Sequence, residues 1–128
     1  MIIVDASVLI AHLDRNDALH ARAQRVLEET AEFPLAASGI TLAEVLVGPA
    51  RAGRLGAAEA ALRDLEVGEV PVPAGAAGRL AELRADTGLK LPDCCVLLAA
   101  QEVAAEAVLT FDDRLAKRAR DLGYGSDT

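Results

Sequence analysis

Four acids stand out by their settings: Asp5, Glu44, Asp93 and Asp112, carried in VDAS, ITLAEVLVG, LPDCCVLLAA and LTFDDRLA. Each falls at the expected start of a helix, so each has an ordinary structural explanation. Asp5 and Asp112 could cap helices, Glu44 follows Thr41 by three residues as in a capping box, and Asp93 suits the positive end of a helix dipole. Their joint placement argues for more. In a parallel α/β sheet the strand-to-helix junctions share one edge, where ligands bind, so Asp5, Glu44 and Asp112 can converge there, and the start of a central helix can bring Asp93 beside them. Carboxylates gathered in this way repel unless a cation joins them. Hard divalent ions such as Mg2+ bind through one or two carboxylates, waters and substrate phosphate. Such a centre supports phosphodiester hydrolysis, because the metal acidifies a bound water and offsets charge developing on the phosphate, and no His or Cys nucleophile is needed.

These acids need elements to position them. Ile2 to Val4 is a β-branched run with no polar alternation, the pattern of a strand whose sheet is covered by helices on both faces. Asp5 ends it, and Ala6 to Leu13 can begin a helix. Asp14 to Asp17 reads as a turn, with Asp17 capping a helix that carries Leu19, Ala23, Val26, Leu27 and Thr30 on one face. Leu35 to Ser38 is short and apolar enough for a second strand. The Thr41–Glu44 capping box predicts a helix start, Gly48 and Pro49 an interruption, and the pattern resumes near Leu55 with Ala58, Leu62 and Leu65 inward. Val70 to Pro73 is a short strand kept to an edge or an end by its prolines. Ala74 to Thr87 is a helix stopped by Gly88, and Leu91-Pro92-Asp93 opens a central buried helix, since Cys94 to Ala105 is apolar nearly all round. Ala107 to Thr110 is a strand. Asp112 or Asp113 caps the last helix, which turns Leu115, Ala119 and Leu122 inward and Arg114, Lys117 and Arg118 outward. Gly123 to Thr128 reads as a fraying tail.

The chain has 128 residues, 52% of them hydrophobic, which suits one domain spanning 1–128 with a sizeable core. No run approaches the ~20 apolar residues of a membrane span, and no basic segment followed by an apolar core marks a secretory signal, so a cytoplasmic location is expected. Cys94 and Cys95 are adjacent and read as buried thiols, since they cannot staple distant segments. His12 and His20 are too few to complete a zinc site and read as structural or surface residues. A net charge of -7 excludes a broad basic face for nucleic acid. Phe33, Phe111 and Tyr124 are the only aromatics and cannot build a base-stacking platform. Contact with RNA would therefore rest on metal held by carboxylates, with Arg114, Lys117 and Arg118 as candidate phosphate contacts.

The quartet in these local contexts resembles the PIN-domain ribonucleases of the VapC toxin type, over nearly the whole chain and in the same order. The resemblance implies a three-layer α/β/α fold with a central, mostly parallel sheet flanked by helices. It also implies a Mg2+- or Mn2+-dependent endoribonuclease acting on RNA, with Asp5, Glu44, Asp93 and Asp112 as catalytic metal ligands, a homodimer, and silencing by a cognate VapB-type antitoxin. Ser7 matches a small hydroxyl residue two places after the first acid, and Thr110 one just before the last. Asp113 directly follows Asp112 and could share its position. An acidic pocket invites an antitoxin Arg that pairs bidentately, and the helical pair from Leu42 to Leu65, with Val45, Leu46 and Leu55, is the expected gripping surface. A receiver-type phosphoacceptor would need an acidic pair after the first strand, and a haloacid-dehalogenase-like phosphatase an Asp where Ser7 stands. One reading from another class stays open: a non-catalytic PIN-like interaction module, which would carry the same residues without turnover.

Overall fold

Strand β1 (Ile2–Val4) is buried along its whole length and lies inside a four-stranded sheet of order β3-β2-β1-β4. Its neighbours are β2 (Leu35–Ser38), registered Ile2 against Leu35, and β4 (Ala107–Leu109), registered Ile2 against Ala107; β3 (Val67–Val70) pairs with β2 at the edge. Every pairing is parallel. Because successive side chains in a strand point to opposite faces, the sheet divides its apolar residues between two cores. Ile3, Ala36 and Val108 pack with Leu83, Leu97 and Leu115, from α5 (Ala77–Thr87), α6 (Leu91–Glu102) and α7 (Asp113–Asp121). Val4, Leu35 and Leu109 pack with Val8, Leu9, Val26, Val45 and Leu62, from α1 (Ala6–Leu13), α2 (His20–Glu29), α3 (Gly39–Arg51) and α4 (Leu55–Asp64). The three layers and the parallel sheet are those the sequence predicts. The computed structural model describes residues 1–125; Ser126, Asp127 and Thr128, the end of the expected tail, lie outside the described residues.

Several expected boundaries move, each for a local reason. Thr41 does not start α3. The helix begins two residues earlier at Gly39, capped by Ser38, whose hydroxyl accepts the Ile40 N–H at 3.3 Å. The capping box therefore does not form, Thr41 is fully buried, and Glu44 lies in the second turn. Gly48 and Pro49 do not interrupt α3 either; it continues to Arg51, so the missing proline N–H falls in the last turn, where the helix is about to end. Asp17 is not a helix cap: its Oδ1 accepts the Leu19 N–H at 2.8 Å in the preceding turn, and Leu19 stays exposed. The strand expected at Val70 to Pro73 lies instead at Val67–Val70, because Pro71 has no N–H to continue a ladder; its edge position is as expected. Helix α5 starts at Ala77, after a turn at Gly75 with φ 75°, and ends on Gly88 with φ 72°. Helix α6 closes at Glu102 ahead of Ala104, whose φ of 49° is left-handed. Leu122 lies past the end of α7 and is exposed. The tail does not fray at Gly123: Tyr124 packs against the core and donates its N–H to the Ala119 carbonyl at 2.8 Å, and Gly125 bridges to Ala107.

No helix among the described residues is long and apolar enough to cross a membrane.

Candidate active site

Asp5 occupies the single residue between β1 and α1, so the strand delivers it directly to the carboxyl edge of the sheet. It is buried, 7% exposed, yet caps nothing with its side chain. Its Oδ2 instead accepts two hydroxyl protons, from Ser7 at 2.8 Å and from Thr110 at 2.8 Å. Each hydroxyl in turn accepts a backbone N–H, Ser7 from Phe111 at 3.0 Å and Thr110 from Asp112 at 3.0 Å. A hydroxyl has one proton to give, so both protons point at Asp5, and the 3.4 Å approach of Ser7 to Thr110 is a consequence of sharing that oxygen. The network welds the end of β1 to the link between β4 and α7. It leaves Asp5 Oδ1 without a hydrogen bond among the described residues.

The other acids surround that carboxylate. Partial burial, followed by the negative charges of Asp5 and Asp93, raises the Glu44 carboxyl above the ordinary glutamate value. Burial raises Asp93 as well, followed by repulsion from Asp5 and then Asp112, with Lys90 and Arg114 acting in the opposite sense. Asp5 acts on both Glu44 and Asp93, Asp93 acts on Glu44 as well, and Asp112 acts on Asp93. The structure thus brings all four predicted acids to one edge. Asp112 also serves as a true cap: its Oδ1 accepts the N–H groups of Arg114 at 2.9 Å and Leu115 at 3.1 Å. Asp113, the first residue of α7, is exposed and is not among the charges that raise Glu44 or Asp93.

Among the described residues no three acids, histidines or cysteines stand close enough to hold one metal jointly. A hard cation does not require three, since Mg2+ keeps several waters and takes one or two carboxylates. An all-oxygen set in which neighbouring carboxylates raise Glu44 and Asp93 fits such an ion, because the cation removes the repulsion. The cysteines offer no competing soft site: both are buried, with their thiols pushed up by burial first. His12 and His20 stack on each other at 6.4 Å, and His20 Nδ1 lies 2.8 Å from the Ala11 carbonyl, at the other end of α1 from Asp5.

The expected phosphate contacts divide. Lys117 and Arg118 both pair with Asp121, at 3.1 and 3.4 Å. Arg114 makes only a 3.5 Å contact with the Gly88 carbonyl and lies on the Asp93 side of the cluster. Two cations near the site were missed from sequence. Lys90 precedes Asp93 by three residues at the cap of α6, and Arg22 lies 4.7 Å above the Phe111 ring, beside the Asp5 network. A groove of about 490 Å3 runs between α1 and the α3–α4 pair, lined by Ile10, Leu13, Val45, Ala57 and Ala61 and reaching Glu44. Of the apolar residues expected to grip a partner, Val45 is buried in its wall, Leu46 is partly buried and Leu55 is 41% exposed.

Comparison with known proteins agrees with this architecture. The model of the PIN domain family matches residues 2–121. No curated protein matches the sequence. Among solved structures, a chain of a toxin-antitoxin complex from Klebsiella pneumoniae is 25% identical, with a TM-score of 0.76 over 100% of this chain and 97% of that one. VapC20 of Mycobacterium tuberculosis, a toxin that cleaves the sarcin-ricin loop, shares the fold at 20% identity and a TM-score of 0.75, covering 97% of this chain and 96% of its own. VapBC2 from Rickettsia felis, solved on a DNA fragment from its promoter, shares it at 15% identity and a TM-score of 0.71, covering 99% and 98%.

Proposed function

The chain belongs to the PIN domain family, and from that premise we propose that it is a metal-dependent endoribonuclease, the toxin of a toxin-antitoxin pair, acting in the cytoplasm as a homodimer of single 128-residue domains. One observation carries the reading: Asp5 is held by two hydroxyls on one oxygen while its other oxygen stays open among acids that repel one another. A helix cap has no use for that arrangement. A cation site does.

Asp5, Glu44, Asp93 and Asp112 would hold Mg2+ or Mn2+, directly or through its waters. Bound there, the metal supplies an acidified water and offsets charge on the phosphate. The protein's own part is orientation. Ser7 and Thr110 fix the rotation of the Asp5 carboxylate, and the caps on Asp112 Oδ1 fix that of Asp112, so neither has to be ordered when RNA arrives. Similarity to a toxin-antitoxin complex supports an antitoxin as partner. The groove between α1 and the α3–α4 pair suits an apolar segment of that partner, and Glu44 at its wall suits an Arg at the segment's end.

The test is cleavage of single-stranded RNA by protein stripped of any co-purified partner. Cleavage with Mg2+ or Mn2+, abolished by EDTA, is expected. Cleavage that persists in EDTA, with contaminating nuclease excluded, would overturn the metal mechanism; no cleavage under any metal would leave a non-catalytic interaction module. Co-expression with the neighbouring open reading frame tests the partner, which should co-purify and relieve growth inhibition.

A further inference from the structure

Lys90 and Arg114 come to the Asp93 side of the acid cluster from two elements distant in sequence. Lys90 is the residue before α6, whose first turn contains Asp93. Arg114 is in the first turn of α7, and its Nη2 lies 3.5 Å from the carbonyl of Gly88. Gly88 is the left-handed residue that ends α5, and a Cβ built on it would meet that same guanidinium nitrogen at 4.0 Å. The 88–90 link and the start of α7 are therefore side by side.

What distinguishes these two cations is their place: both stand beside Asp93, one from the start of α6 and one from the start of α7. Both are exposed, and among the described residues neither forms an ion pair, whereas Arg79 is tied to Glu102 and both Lys117 and Arg118 are tied to Asp121. They are also confined to one side. Both act on the Asp93 carboxyl, and among the described residues neither is a charge that shifts Glu44. In a chain of net charge -7, a cation pair beside a cluster of carboxylates has a specific use. A phosphate placed over the acids would be neutralised by metal, but the next phosphate along the strand has no metal and must meet protein cations.

We propose that Lys90 and Arg114 cradle the RNA phosphate adjacent to the one that is cut, and so fix the side of the acid cluster along which the strand lies. Arg114 supplies a planar fork that can hold two phosphate oxygens, and Lys90 a compact charge. The inference rests on the nuclease reading, in that it takes RNA as the ligand.

The experiment measures RNA binding and RNA cleavage separately on the full chain. Binding of a fluorescent single-stranded RNA is followed by anisotropy in Ca2+ across a salt series, for the unaltered protein, Lys90→Gln, Arg114→Gln, the double variant and Arg79→Gln as a charge-matched control. Each cradle substitution should weaken binding roughly fivefold, the upper range for one exposed charge contact, and should reduce the salt slope by about 0.7. Arg79→Gln should leave both unchanged. In Mg2+ the same variants should raise KM with kcat nearly constant, and Arg114→Lys should restore the slope. Unchanged affinity and slope in the double variant would overturn the cradle, as would a loss of affinity equal in Arg79→Gln. If the unaltered protein binds RNA with these slopes but never cleaves, the nuclease reading fails and the cradle stands; if it binds no RNA, both fail.

Discussion

Thr110 and Asp5, 105 positions apart, are joined by a 2.8 Å hydrogen bond in which the threonine hydroxyl donates to a buried carboxylate. The bond closes the gap between β1 and the β4–α7 link at the point where the chemistry is proposed to occur.

Thr110→Val keeps the shape of the side chain and removes the donor. A hydrogen bond to a charged group contributes about 1.5 to 3 kcal/mol, so a lowered melting temperature is expected, together with a fall of about tenfold in kcat as Asp5 loses its fixed rotation. Ser7→Ala should do the same more mildly, because Thr110 still holds the carboxylate. Melts and single-turnover cleavage check this; full activity in Thr110→Val would show that the hydroxyls serve only the fold.

Asp93→Asn separates stability from activity. Asp93 is repelled by Asp5 and Asp112, so removing its charge should stabilise the metal-free protein by on the order of 1 kcal/mol or less, the scale of partly exposed charge pairs. The same change deletes a proposed ligand, so Mg2+ should raise the melting temperature less than in the unaltered protein, and cleavage should be lost. A variant that is no more stable in EDTA and still cuts RNA would mean that these acids are structural.

The pH dependence follows from sign. Glu44 and Asp93 have carboxyls raised above the ordinary values of 4.5 and 3.8, so in the window between those values and their folded pKa the native state binds more protons than the unfolded chain. Stability contributed by these two groups therefore falls as pH rises through that window and is recovered as pH drops toward 4.5 for Glu44 and 3.8 for Asp93. Melts in EDTA should show the effect, and both Mg2+ and the double change Glu44→Gln, Asp93→Asn should flatten it.

Asp112 has two roles that different substitutions can split. Asp112→Ala removes the cap on α7 and should cost about 1 kcal/mol, whereas Asp112→Asn keeps the cap and removes the charge. Both should impair cleavage, but only Ala should lower the melting temperature appreciably. Asp113→Asn should change neither, and loss of cleavage in that variant alone would move the fourth acid one residue along.

The convergence of Asp5, Asp93 and Asp112 was legible in sequence because each lies at the start of a helix, and a parallel sheet fixes where such places meet. Asp5 is the clearest case, its strand and helix bounds both as expected. Glu44 was found by a mistaken route: a capping box that the structure does not form, since Ser38, a hydroxyl at the strand end, caps first. Pro49 misled because a proline signals interruption without saying how near a helix is to its natural end. The Ser7–Thr110 network could be suspected from the two hydroxyl positions, but its proton directions depend on contacts over more than a hundred residues. Lys90 was invisible for the opposite reason. A lone lysine at a helix start resembles any solvated charge until α7 is seen beside it.

The 105-residue separation between Asp5 and Thr110 also sets when the site can exist. Ribosomes add ~5–20 residues per second, and domains are made from the N-terminal end. Strand β1 is thus finished roughly 5 to 20 seconds before the threonine that orients its carboxylate has been made. The β4 strand that flanks β1 and the cap at Asp112 are made at about the same time as Thr110. A copy that stops short of Thr110 carries Asp5, Glu44 and Asp93, but not the frame that aligns them. On the proposed nuclease reading, a nascent chain would not align its acids for RNA cleavage until Thr110 and Asp112 have been made.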